Sequence, residues 1–193
     1  RYEYACRVLA LAGREQIPER RKELEEAAAV CGRVPAKPAR TFREAVQSFW
    51  FTHLAVEIES CAPGYTAGRF DQYMYPFYRK DIDEGRITRE EAAEFFQCLW
   101  IKHAELNILW PGRYQEIAGS MGQNVAIGGQ TPDGKDASND LSYLILDVTQ
   151  AVKMHQPTVS LRYHDGAPQD LLIRAAEVVR SGGGMPAWFN DKT

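Results

Sequence analysis

Gly129-Gln130-Thr131-Pro132-Asp133-Gly134-Lys135 has the G-x-x-x-x-G-K spacing of a phosphate-cradling loop and follows a short apolar run, Asn124 to Ile127, that reads as a strand. The chemistry would be nucleotide binding, with backbone N–H groups around the phosphates and a hydroxyl residue after the lysine to hold magnesium. Position 136 is Asp instead, and Pro132 and Asp133 place a missing N–H and a negative charge inside the cradle. An ordinary Pro-Asp-Gly turn accounts for the same residues.

The other reactive side chains are scattered. His53, His103, His155 and His164 fall in four different segments, none at i, i+4 from another or from a cysteine, so the spacing predicts no metal site. They read as core or helix-end histidines, with His164-Asp165-Gly166 a turn after a strand. Cys6, Cys31, Cys61 and Cys98 lie 25, 30 and 37 positions apart with no C-x-x-C, which predicts reduced, intracellular thiols. No local signature marks a Cys-His nucleophile, and Cys6 and Cys98 read as small apolar packing residues. Glu57 and Glu59 flank an apolar helix and are candidates either for buried acids with raised pKa or for helix-end carboxylates paired with Arg69. Three glycine-rich loops, Gly64 to Gly68, Gly119 to Gly122 and Gly182 to Gly184, allow positive φ and close backbone approach, as a pocket and a tight turn both require.

The elements that must position these residues change type along the chain. Tyr2 to about Ala12 and Pro18 to about Cys31 carry small or apolar residues at helical spacing, with Pro18 suited to a first turn and Gly32 to a stop. Val34 to Arg40 contains two prolines and predicts an extended connector. Thr41-Phe42-Arg43-Glu44 has the form of a capping box and opens a helix to about Ile58, apolar on more than one face and therefore expected to be buried in a larger body. The stretch SCAPGYTAGR reads as a loop, leading to an aromatic-rich helix that Gly85 ends; a second box, Thr88 to Glu91, opens the next helix. Beyond Met121, strand-like runs at 124–127, 158–163 and 187–189 alternate with helical segments at 139–152 and 169–180. Strands about 30 residues apart leave room for crossover helices, which predicts βαβαβ with parallel neighbours. Three such strands leave two bare edges, so further strands are expected from sequence beyond these residues.

With 193 residues, 45% hydrophobic and 25% charged, the composition is that of a globular protein with a sizeable core, and disordered or collagen-like classes are excluded. A net charge of -3 without a basic stripe argues against a nucleic-acid partner. No apolar run reaches the roughly 18 to 20 residues of a membrane span, and no signal-peptide pattern opens the chain, so no membrane association and a cytoplasmic location are expected. The chain opens on Arg1 and stops at Thr193 close behind a strand-like run, which reads as a piece of something longer.

TFREAVQSFWFTHLAVEIES, GRFDQYMYPFYRKDIDEGRITREEA, GQNVAIGG with TPDGKDASNDLSYLILD, QPTVSLRYH and SGGGMPAWFND together resemble the pyruvate formate-lyase domain of glycyl radical enzymes, in order and at matching spacing from about Cys31 to Thr193. GRFDQYMYP, Gly68 to Pro76, is the most specific of these runs. The resemblance implies an α/β fold, part of a ten-stranded α/β barrel, with residues 1–115 mainly helical and 116–193 alternating, all within one catalytic domain. It implies a glycyl radical that passes its unpaired electron to a cysteine on a loop inside the barrel, and a separate radical-SAM iron–sulfur protein that installs the radical. It also implies a small-molecule substrate and a full-length homodimer of anaerobic metabolism.

In the family the cysteine loop and the radical glycine lie downstream of the segment matching GGMPAWFND. The resemblance therefore assigns no catalytic residue to this chain and predicts that the piece alone is inactive. It places substrate-cavity positions at Pro63, Gly64 and Tyr65, and at Met121, Gly122, Gln123 and Asn124. Pro63-Gly64 departs from the polar Asn-Gly-His-Ser strip of diol dehydratases. Gly119-Ser120-Met121-Gly122-Gln123-Asn124, with its small residues, stands where relatives often carry a larger aromatic. Both departures favour a decarboxylase or other C–C or C–X lyase over a dehydratase, with a non-catalytic relative of the same fold as the remaining reading.

Overall fold

The computed structural model describes residues 2–60, 64–106 and 122–192. They fall into two compact units, Arg1–Glu59 and Ser60–Thr193.

The first unit holds helices α1 (Tyr2–Ala12) and α2 (Pro18–Arg33) and nearly all of α3 (Phe42–Ser60). Pro18 starts α2 as expected, but Gly32 does not stop it: the helix continues to Arg33, and a Cβ built on Gly32 would lie 3.9 Å from the Ala5 Cβ of α1. At the start of α3 only half of the expected box forms. Thr41 Oγ1 accepts from the Glu44 N–H (3.2 Å), but the Glu44 carboxylate reaches past Thr41 to the Arg40 N–H (2.8 Å) and to the Arg33 and Arg40 guanidinium groups. A carboxylate with two cations in reach is held more strongly by them than by one amide. α3 is less buried than its apolar composition predicts, with Phe42, Ala45, Val46 and His53 covered, Phe49 and Trp50 half-buried and Ile58 exposed.

The second unit is a parallel α/β layer. Strands β1 (Thr66–Arg69), β2 (Asn124–Gly128), β3 (Thr158–Tyr163) and β4 (Ala187–Asn190) form one sheet in the order β1-β2-β3-β4, every pair parallel. The expected parallel alternation is present with one strand more than was read, because β1 forms inside the stretch SCAPGYTAGR. Among the described residues four helices accompany it: α4 (Phe70–Asp83), α5 (Arg89–Glu105), α6 (Asp140–Val152) and α7 (Gln169–Arg180).

Local signals set the helix ends. Thr88 and Glu91 make both halves of a capping box, Asn139 caps α6 through Leu141 N–H, and Gly85 takes φ 66 just past α4. The helices bury their apolar faces against the sheet and one another: Phe70 lies 5.3 Å from Phe96 between ring centroids, Phe96 stacks on Trp100 at 5.8 Å, and Trp100 donates to Thr149 Oγ1. Val125, Ile127, Val159 and Leu161 are at most 1% exposed on the helical side of the sheet.

Candidate functional site

The strand register sorts the other face of the sheet into rows. Thr66, Asn124 and Thr158 are paired in the first; Arg69, Ala126, Ser160 and Ala187 in the second; Gly128, Arg162 and Phe189 in the third. Parallel sheets ordinarily bury aliphatic residues on both faces. Here Val125, Ile127, Val159 and Leu161 make one face apolar, whereas the other carries small and polar residues with Arg69, Arg162 and Phe189 among them, the pattern of a wall that faces a cavity or another polar layer.

At the amino ends of the strands, the two stretches that the family resemblance singles out come together. Gly64 leads into β1 and Gly122 into β2, both at positive φ (93 and 68), and a Cβ on Gly122 would sit 3.7 Å from the Gly64 Cα. Two backbones thus meet with no side chain between them. Tyr65 is 43% exposed beside them. Asn124 is half-buried, and its Oδ1 accepts from Ser160 Oγ at 2.9 Å.

Gln123 is fully buried: its Nε2 donates to the His103 carbonyl at 2.9 Å, and its own carbonyl accepts from Thr158 N–H at 2.7 Å. It pins this rim to the last turn of α5 and to β3. Pro63 and Met121, with Cys61, Ala62, Gly119 and Ser120, lie outside the described residues. Thr66, Thr158 and Ser160 join the rim without having been singled out in the sequence; the alternation of Thr158, Ser160 and Arg162 in TVSLRY was the available signal.

The carboxyl ends of the strands, where open α/β sheets usually bind ligands, are largely tied up internally. Arg69 donates to the Gln130 carbonyl (2.8 Å) and the Gly128 carbonyl (2.9 Å). Glu57 is buried with His53 Nε2 3.7 Å away, and Glu59 is exposed. Arg162 pairs with Asp191 at 2.8 Å and His164 Nε2 with Asp136 at 3.1 Å.

Asp71, fully buried, accepts through Oδ2 from the Gly128 N–H (2.8 Å) and Ser142 Oγ (2.5 Å). Burial raises its pKa above the ordinary carboxylate value, against the pull of those two bonds and of Arg69. Residues 129–135 form a closed turn in which the Thr131, Gly134 and Lys135 N–H groups all bond within the turn, leaving no phosphate cradle. Among the described residues no three of His, Cys, Asp and Glu gather as a metal site would need. No described helix is long and apolar enough to cross a membrane. A groove of about 450 Å³ lined by Tyr78, Ile82, Ile87, Thr88, Arg89, Asp140 and Tyr143 lies among α4, α5 and α6, away from the sheet ends.

Comparison with known proteins places this arrangement. The family described as pyruvate formate lyase-like matches residues 2–193. An isethionate sulfite-lyase of Nitratidesulfovibrio vulgaris is 41% identical over 94% of this chain and 22% of its own length. The indoleacetate decarboxylase of Tractidigestivibacter scatoligenes is 37% identical over 91% of the chain and 20% of its own length. A solved glycyl radical enzyme from Archaeoglobus fulgidus superposes with a TM-score of 0.94 at 39% identity, covering 98% of this chain and 25% of that one. The chain therefore spans about a fifth to a quarter of the length of the relatives it matches. With one family covering nearly every residue and the same fold at this identity, the chain belongs to the pyruvate formate lyase-like family of glycyl radical enzymes.

Proposed function

We propose that this chain is the part of a glycyl radical enzyme that builds one wall of the substrate cavity, with Pro63, Gly64, Tyr65, Met121, Gly122, Gln123 and Asn124 forming its rim. The observation that carries this reading is the backbone-to-backbone approach of Gly64 and Gly122 at the edge of the polar sheet face. Two segments about 60 residues apart meet there and leave side-chain volume empty, which is what a site needs in order to admit a molecule.

The reaction is thiyl-radical-initiated cleavage of a C–C or C–X bond in a small organic substrate, with a lyase or decarboxylase favoured over a dehydratase. Small residues at the rim leave room for a bulky substrate, and a sulfite-lyase and a decarboxylase stand among the relatives. A trans-4-hydroxy-L-proline dehydratase stands there too and supports the alternative. The glycyl radical, installed by a separate radical-SAM iron–sulfur protein, supplies hydrogen-atom abstraction through a cysteine. Among the described cysteines, Cys6 and Cys98 are exposed on helices and Cys31 is buried in α2. The work of these residues is to bind and orient. The full-length enzyme acts as a cytoplasmic homodimer.

Full-length protein carrying this chain, treated anoxically with a radical-SAM activating enzyme, should show a glycyl radical by electron paramagnetic resonance. Gly122→Leu should leave that signal in place while lowering kcat/KM at least tenfold, because the leucine fills the rim. Absence of the radical in strict anoxia would mean a non-catalytic relative.

A further inference from the structure

We infer that the first row of the polar face, Thr66-Asn124-Thr158, is a hydrogen-bond-donor row that receives an oxyanion head group of the substrate, a carboxylate or sulfonate, and that Ser160 orients the central amide. This rests on the reading of the rim as a cavity wall and adds to it the substrate class and a positioning residue.

An asparagine offers one acceptor and two donor hydrogens at opposite corners, and which corner faces outward depends on what holds the other. Ser160, paired with Ala126 and thus one step further along the same face, donates its hydroxyl to Asn124 Oδ1 at 2.9 Å. Ser160 is buried, 4% exposed, so this bond is shielded from competing water. With the oxygen occupied, the amide keeps its NH2 for another acceptor, and among the described residues none accepts from it.

Thr66 and Thr158 are register partners of Asn124 on either side, and neither hydroxyl has a protein partner among the described residues. Adjacent strands lie about 4.8 Å apart. The three side chains stand side by side on one face, and an oxyanion, with several lone pairs, accepts bonds that are stronger than those to a neutral acceptor. The row itself contains no carboxylate to repel an anion, and Asp71, the acid nearest Thr66 in sequence, is engaged by the Gly128 N–H at the carboxyl end of β2 and by the Ser142 hydroxyl. A carboxylate in place of Asn124 would reverse the preference.

The test is equilibrium binding to full-length protein in its unactivated, radical-free state, by calorimetry, with isethionate, indoleacetate and 1,2-propanediol as probes. The expected result is that wild-type protein binds one of the two acids more tightly than the neutral diol. Asn124→Asp should weaken that acid at least tenfold by turning a donor into a negative acceptor, and Thr158→Val should weaken it about threefold. Ser160→Ala should weaken it severalfold by freeing the amide, and Ser160→Thr, which keeps the hydroxyl, should restore it.

Preference for the diol, binding of neither acid, or an acid affinity unchanged in both Asn124→Asp and Thr158→Val would overturn the proposal. A Ser160→Ala protein that melts earlier but binds the acid normally would make Ser160 a packing residue and overturn its positioning role. The radical signal after activation is measured on the same preparations. Radical formation with unchanged acid affinity overturns only the donor row, whereas loss of the radical in wild type overturns the enzyme reading.

Discussion

Asp71 is a carboxylate whose two strong bonds reach partners 57 and 71 residues away, the Gly128 N–H at the end of β2 and the Ser142 hydroxyl in the first turn of α6. Its folded pKa is raised chiefly by burial, so the charge is a cost that the geometry tolerates. The linkage has a definite sign. Stability from this group is fully present below the ordinary Asp value of about 3.9 and is lost as pH climbs through the raised folded value. Asp71→Asn keeps an acceptor for both donors, so it should remove that pH dependence and hold or increase stability at pH 7. Asp71→Ala strands the N–H and the hydroxyl and should cost about 2–4 kcal/mol. Hydrogen exchange at the Gly128 amide would separate the two: protected in Asp71→Asn, exposed in Asp71→Ala.

Glu44 works in the opposite direction. Burial alone would raise its carboxyl, but hydrogen bonds from the Arg40 guanidinium and N–H and from Arg33 carry it below the ordinary range. Its contribution is present above the unfolded Glu value of about 4.3 and is lost as pH falls through the depressed folded value. Glu44→Gln should therefore unfold with a shallower acid limb than wild type, read by circular dichroism between about pH 5 and 3.

At the scale of elements, glycines with the same backbone twist do different things. Gly128 and Gly85 both take positive φ, 71 and 66, but a Cβ on Gly128 would meet the Arg162 carbonyl oxygen at 2.8 Å, whereas one on Gly85 would have nothing within 4 Å. Gly85→Ala should cost about 1 kcal/mol, the left-handed penalty alone. Gly128→Ala adds a backbone clash across the β2–β3 ladder and should cost at least about 2 kcal/mol more, since neither strand can shift without breaking the Gly129 N–H to Arg162 carbonyl bond. Urea denaturation of both variants gives the comparison.

The same contrast explains what the sequence revealed. Helix starts at Thr88 and Asn139 and the run of β3 were legible because each is written within a few residues. β1 was not, because Thr-Ala-Gly-Arg carries no apolar alternation and becomes a strand only when β2 offers it a ladder. Gly64 and Gly122 stood out as ends of glycine-rich loops that a pocket or a tight turn would use equally, and the Asn124–Ser160 bond, spanning 36 residues, depended on a register that no local pattern states.

For the whole molecule, a four-stranded parallel sheet ends in two edges, β1 and β4, and β4 carries Trp188 and Phe189 at 38% and 55% exposure. Expressed as these 193 residues alone, the protein should self-associate through those edges. Sedimentation velocity would show it, and a monodisperse monomer that melts cooperatively would refute it. Parallel pairing has one more consequence. Because all four strands run the same way, every segment entering the sheet arrives at the same end, while the aliphatic face and the Asp71 and Arg69 ties sit behind it or at the opposite end. On the proposed reading of the rim, substitutions at entry positions other than Gln123, which ties β2 to α5 and β3, alter what is recognised with little effect on what holds the protein folded. Such a separation lets substrate choice drift while the scaffold stands still, and one framework can come to serve catalysts that release sulfite, carbon dioxide or water.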